Sequence, residues 1–391
     1  MLKVARGWIR RWPAGHVIFF LSALGLLGLK LSSITPGISG AESASRQSST
    51  NLNSLLDNPL NAPYRLIEHY LIKLWPDNVF SLRLTSVILA VLIAWCFYKL
   101  AVNWFGRLIG LFGSLIFLST PLLIIAAHQA SSEIMFFSPI IVMWLFAWLA
   151  KAERTQVLAW LSLLVACGLL VYTPGMLWWV LGAAIISRKR LMAAVDPTRM
   201  WASAAGLALA AGLAAPLVIS TVKHSHIIKP LLLIPSSWPV PLTIFKQLGW
   251  MGLAIFVKTP SHALLILDRL ALISALVIAL AIFGIYAMAS VAKSKAVTLA
   301  LGIGFAVIAA GINNNLYLLA LGLPAILIFA SAGLRYLYIE WRSIFPRNPV
   351  PKSFALLLIA TVTLSQLYFG IRYGLIAWPR NSATRSAYVL K

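Results

Sequence analysis

Asn61-Ala-Pro-Tyr-Arg-Leu-Ile-Glu-His-Tyr-Leu-Ile-Lys-Leu-Trp75, followed four residues later by the apolar run from Phe80 to Ala101, is the stretch on which the fold turns. In its first piece Leu66, Ile67, Tyr70, Leu71 and Leu74 recur at helical spacing, opposite Arg65, Glu68, His69 and Lys73. A two-faced segment of this kind fits a helix lying in a membrane surface. The second piece has the length and apolarity of a helix that crosses one. A surface helix feeding a spanning helix predicts an all-α membrane protein.

Ten further apolar runs extend this pattern in both directions, at about 15–33, 108–127, 134–150, 156–172, 175–187, 200–222, 264–291, 296–312, 316–334 and 353–371. Eleven transmembrane helices are therefore expected in one domain covering 1–391, with long loops at 34–79 and 223–263 and a tail at 372–391. The composition agrees, with 61% hydrophobic and only 10% charged residues. An ordinary soluble domain is about 25% charged. The net charge of +23 would suggest nucleic acid in a soluble chain, but here Lys and Arg gather in short segments between apolar runs. No nucleic-acid partner is expected, and the cations read as topology signals and contacts to membrane lipids.

Cytoplasmic loops carry the Lys and Arg excess. With the N-terminus inside, every cytoplasmic segment holds at least two such residues, among them Lys3, Arg6, Arg10 and Arg11, then Lys99 and Arg107, then Lys151 and Arg154, then Lys293 and Lys295. The short opposite connections 128–133, 172–175 and 312–315 hold none. The expected arrangement is N-in and C-out in a bacterial inner membrane, with the first helix an uncleaved anchor rather than a signal peptide. Cys96 and Cys167 lie inside apolar runs, without the spacing of a metal or redox pair.

Only nine acids are present. Glu153, Asp196 and Glu340 fall in cytoplasmic segments, and Asp57 and Asp77 fall in turns. Glu42 and Glu133 fall at the outer rim, the first just beyond helix one and the second in His128-Gln-Ala-Ser-Ser-Glu133 between helices three and four. A rim carboxylate can take a proton from an incoming hydroxyl or amine if it comes within hydrogen-bond reach. A carboxylate at a helix start is equally explained by the helix dipole. On the same side, Arg83, Lys223, His224, Lys229, Lys258 and His262 supply donors suited to a phosphate, although interfacial snorkelling accounts for each singly. Asn313, in Asn313-Asn-Asn315, is a candidate sugar contact or a polar turn residue. His224-Ser-His226 lacks companion ligands, so no metal or other cofactor is expected.

The order of pieces, with an acid in the first loop, Asn61-Ala-Pro-Tyr64, Phe80-Ser-Leu-Arg-Leu-Thr-Ser86, Trp104-Phe-Gly-Arg107 and an acid before helix four, resembles the GT-C membrane glycosyltransferases. The branch it is most similar to contains the protein O-mannosyltransferases and the aminoarabinose transferases of lipid A. The likeness covers about 10–150 and continues weakly through Tyr317-Leu-Leu-Ala-Leu-Gly-Leu-Pro324. It implies a GT-C bundle that moves a sugar, with inversion, from a polyprenyl-phosphate donor to a lipid, glycan or protein acceptor on the extracytoplasmic face. It also implies Glu42 as general base and Glu133 as a positioning acid. One departure is that the family's first loop usually presents an Asp, where Gly40-Ala41-Glu42 stands here. The short tail after helix eleven leads us to expect a small or lipid acceptor, or a relative that has lost catalysis. A lipid or solute transporter is the competing class, but such proteins place charged or unwound elements near the bilayer midplane. The ionisable candidates here map to loops and helix ends.

Overall fold

The computed structural model describes residues 13–51, 55, 57–76, 78–151, 156–188, 200–259, 271–344 and 349–389. His262, Asp77, Glu153, Asp196, Asp268 and the basic N-terminal residues lie outside them. The regular elements among the described residues are all helices, with no strand.

Each of the eleven apolar runs contains a helix. The principal ones are α1 (Pro13–Gly28), α4 (Val79–Phe105), α5 (Arg107–Leu118) with α6 (Pro121–Ala127), α7 (Pro139–Leu149), α8 (Gln156–Leu170), α9 (Met176–Ile186), α10 (Met200–Lys223), α12 (Ala275–Val291), α13 (Lys293–Asn313), α14 (Leu323–Ile344) and α15 (Pro349–Gly370). Between α1 and α4 lie α2 (Gly40–Thr50) and α3 (Ala62–Leu74), and α11 (Pro241–Phe256) follows α10. Six segments are single helices long and apolar enough to cross a membrane, and the bent pair α5/α6 makes a seventh. The expected first, fifth, sixth and eighth spans are shorter apolar helices. The protein is thus an integral membrane bundle in which, among the described residues, six or seven of the eleven expected spans are full-length and four are shorter. Outward-facing Val222, Val291, Leu357 and Leu364 form part of its lipid-facing belt.

The run 108–127 is not one straight span. Pro121 has no N–H to continue the helix, and its ring disfavours helical geometry in the residue before it. The axis turns by 63° there. The turn carries α6 inward and delivers His128, Gln129 and Ala130 beneath the first loop. His128 is fully buried, its Nδ1 2.8 Å from the Ile124 carbonyl oxygen and its Nε2 3.1 Å from that of Leu29, so it ties α6 to the end of α1.

Helices α12 and α14 meet through small residues, as membrane helices do where backbones must approach closely. A Cβ added at Gly284 would collide with the Phe329 carbonyl, and one added at Gly333 with the Leu280 carbonyl.

The amphipathic segment forms α3 as expected. Its apolar Leu66, Tyr70 and Leu74 are exposed, with Trp75 just beyond, while Tyr64, Arg65 and Glu68 are buried. Lipid takes the apolar face, and the protein takes the polar one.

Candidate functional site

Helix α2 begins at a capping box. Ser39 accepts from the Glu42 amide at 3.2 Å, and the Glu42 carboxylate accepts from the Ser39 amide at 2.8 Å. Glu42 Oε1 also receives Arg83 Nε at 2.8 Å and the Ala130 amide at 3.0 Å. Its Oε2 receives Arg83 Nη2 at 3.2 Å. A carboxylate offers about four lone-pair sites, and Glu42 fills all of them with donors while only 1% exposed.

Arg83 is equally occupied. Its remaining bonds run to the Leu31 carbonyl (3.0 Å), Thr35 Oγ1 (2.7 Å) and the Gly37 carbonyl (2.9 Å). The Tyr388 ring lies 5.9 Å from the guanidinium carbon. Arg83, expected as a phosphate contact, is fully buried and fastens the first loop to the start of α4. Glu42, expected at an open rim, is its counter-ion.

Glu133 stands differently. It opens a 3-10 turn, Ser132–Phe137, whose cap is Ser131; the Ser131 hydroxyl donates to Glu133 Oε2 at 2.9 Å, and the side chain remains partly exposed. A second 3-10 turn, Leu316–Leu321, capped by Asn315, packs against it. The two turns are built alike. Each has an Asn or Ser cap, a polar side chain two residues on and a proline in the first two residues of the following helix: Ser131, Glu133 and Pro139 in one, Asn315, Tyr317 and Pro324 in the other.

A buried polar chain links these turns. The Tyr317 hydroxyl donates to Gln129 Oε1 at 2.6 Å, the Ser86 hydroxyl donates to the Gln129 carbonyl at 2.6 Å, and Tyr64 lies 3.0 Å from Ser86. From the other side the Asn61 side chain donates to Ser132 at 2.9 Å, and its amide to the Tyr172 carbonyl at 2.9 Å. Leu60, Ala62, Tyr172, Leu217 and Leu231 then pack together, bringing the start of the second long loop to this corner.

The remaining candidates occupy that loop or its neighbours. Lys223 and Lys229 are exposed and His224 is half-buried, close to His226. Lys258 is half-buried beyond α11, and His262 is outside the described residues. Asn313 uses its side-chain nitrogen on the Leu233 and Ala309 carbonyls, both at 3.0 Å, so it anchors the second loop. Among the described residues no group of His, Cys, Asp or Glu forms a metal site.

Glu68, read from its spacing as part of a polar face, is fully buried on α3. It accepts from Ser45 at 2.8 Å and Ser49 at 2.5 Å on α2, and its Oε1 has no partner. Burial pushes its carboxyl up to about 7, against the lowering effect of the two serines and Arg65.

Comparison with solved structures places this arrangement. Over 98% of its length the chain superposes on 75% of ArnT from Cupriavidus metallidurans bound to undecaprenyl phosphate, with a TM-score of 0.59 and 15% identity. The chain has the GT-C fold. Another GT-C structure, the archaeal oligosaccharyltransferase AglB from Archaeoglobus fulgidus in complex with an inhibitory peptide and a dolichol-phosphate, matches 92% of the chain with 56% of its own, at a TM-score of 0.55 and 13% identity. Residues 59–222 match the family model for dolichyl-phosphate-mannose-protein mannosyltransferase. No curated protein sequence matches. The GT-C match by sequence thus includes α3, α4, the bend at Pro121 and Glu133, while Glu42 lies before it.

Sequence reasoning missed Ser131, Gln129 and Tyr388 as parts of this region. For Ser131 the signal was present, because a Ser two residues before an acid and a proline six residues after it mark a capped turn into a helix. Tyr388 carried no local signal.

Proposed function

We propose that this chain is a membrane glycosyltransferase that moves a sugar from a polyprenyl-phosphate donor to an acceptor at the extracytoplasmic end of the bundle. The observation carrying this reading is the GT-C fold over nearly the whole chain, with Glu133 presented from a capped 3-10 turn. GT-C relatives whose structures contain undecaprenyl phosphate or dolichol-phosphate support a polyprenyl donor.

The two rim acids divide the work. Glu133 is the carboxylate that takes the acceptor proton, because it is partly exposed and its partner is a hydroxyl that can rotate away. Removing that proton as the acceptor oxygen attacks the anomeric carbon from the face opposite the phosphate gives inversion, and the polyprenyl phosphate leaves with the bonding pair. Glu42 is a positioning residue rather than the base, since each of its oxygens already accepts two donors. We assign the offset of the leaving phosphate charge to Lys223, Lys229 and His224 of the second loop, with Lys258 and His262 in the same loop as further candidates.

The test is transfer from a panel of polyprenyl-phosphate-linked radiolabelled sugars by the purified chain in proteoliposomes. Glu133→Gln should lower the rate by at least a hundredfold, with unchanged thermal unfolding. Wild-type rates in Glu133→Gln would remove the base assignment. Absence of transfer from every donor by the wild-type chain would remove the glycosyltransferase reading.

A further inference from the structure

The C-terminal end of α4 borders a second polar site. Arg83 and Asn103 lie 20 residues apart on α4, which at 1.5 Å per residue separates the two regions by about 30 Å. At the Asn103 end a cavity of about 490 Å³ opens between α4, α7, α9 and α13, within the range typical of ligand sites.

Its mouth is cationic. Lys151 Nζ donates to the Asn103 carbonyl at 3.1 Å, and Lys295 Nζ sits 4.4 Å above the Trp104 ring. An ammonium has three donors, so the single bond Lys151 makes to Asn103 leaves it capacity for an anion. Ser187 and Ser294 also line the mouth and add neutral donors, and no carboxylate lines it among the described residues.

Its depth is apolar. A second cavity of about 210 Å³ shares Met143, Ala183, Ile186 and Thr298 with the first and continues between α7, α9 and α13. Trp179 and Phe305 line it, with the Trp179 ring seated so closely on Gly302 that a Cβ there would collide with it. A cationic, hydroxyl-lined mouth joined to an apolar channel has the outline of an amphiphile with an anionic head and a hydrocarbon chain.

We propose that this cleft binds an anionic phospholipid from the membrane leaflet at that end of the bundle, with Lys151 and Lys295 at the phosphate and one acyl chain between α9 and α13. Free phosphate would satisfy the mouth alone and leave the channel unused. The inference is independent of the glycosyltransferase reading, because it rests on residues about 30 Å from Arg83.

The experiment is native mass spectrometry of the purified chain titrated with phosphatidylglycerol, with phosphatidylcholine and with glycerol phosphate. Phosphatidylglycerol should bind at least tenfold more tightly than phosphatidylcholine, and glycerol phosphate should not compete at equal concentration. The double variant Lys151→Gln/Lys295→Gln should lose that preference about tenfold or more. Lys99→Gln, which removes a charge at the same end of α4 outside the cleft, should keep it. Ala183→Phe should weaken long-chain phosphatidylglycerol while leaving a short-chain analogue unaffected. Equal binding of the two phospholipids, retention of the preference in the double lysine variant, or an equal loss in Lys99→Gln would each overturn the proposal.

Discussion

Glu42→Gln separates a positioning role from a chemical one, and its cost can be worked from the donors around it. Each carboxylate oxygen of Glu42 accepts two donors: Arg83 Nε and the Ala130 amide on one side, the Ser39 amide and Arg83 Nη2 on the other. A glutamine amide must present its NH2 to one pair or the other. Either rotamer sets donor against donor and breaks two bonds, and the buried Arg83 loses its counter-charge. Removing one partner of a buried pair costs about 3–5 kcal/mol. A chain of this length has an unfolding entropy of about 0.8 kcal/mol/K, so the melting temperature should fall by about 5 °C. Tryptophan fluorescence is a suitable readout, with 15 indoles in the chain. Arg83→Met should cost a similar amount, and Glu42→Gln/Arg83→Met should cost less than the sum, because no uncompensated charge is left. Transfer should be reduced in the single variants in step with the shift, and partly regained in the double. A Glu42→Gln chain that melts like wild type yet transfers no sugar would refute this account and make Glu42 the base.

Glu68 predicts a pH dependence. Its folded carboxyl is raised to about 7 by burial from an ordinary value of 4.5, so the folded state binds the proton more tightly than the unfolded one. Stability should therefore be greatest below about 4.5 and fall by up to about 3 kcal/mol as the pH rises through 7, with Arg65 and Glu42 the neighbouring charges. Glu68→Gln should lessen that slope in thermal unfolding measured from pH 4.5 to 8, and an unchanged slope would count against the assignment. At the α12/α14 crossing, Gly284→Leu must push α14 away from its carbonyl contact and should cost about 1–3 kcal/mol or more. Gly304→Leu, where a Cβ meets nothing within 4 Å, should have little effect, and equal melting of the two variants would contradict the crossing.

Much of the helix pattern was legible because apolar runs are a local property, and each of the eleven contains a helix. The bend in the third was not legible from Pro121 alone, since a proline indicates a break but not a 63° turn. The amphipathic helix was legible as two faces, but periodicity does not say which face the protein takes. In water the apolar face would be buried. Against lipid, Leu66 and Tyr70 turn outward, and Arg65 and Glu68 become the buried side. The pairing of Glu42 with Arg83 was beyond reach because they are 41 residues apart and each invites a separate role when read alone, one as a base and the other as a phosphate contact.

That pairing also explains why two acids with the same sequence signal end with different chemistry. Both follow a serine at the start of a helical turn, and both lie where a span meets a loop. Arg83 lies one turn inside α4, close enough for its fork to reach back over the first loop, and the bend at Pro121 supplies the Ala130 amide on the other side. Glu42 consequently has its lone-pair sites taken by the Arg83 guanidinium and by the Ser39 and Ala130 N–H groups. Glu133 meets one serine hydroxyl and a partly open surface. A group that must gain a proton during the reaction needs an unfilled lone pair facing the acceptor, and of these two rim acids Glu133 is the one whose surroundings leave room for it. The ion pair holds the first loop in place, and the capped 3-10 turn presents the carboxylate proposed as the base.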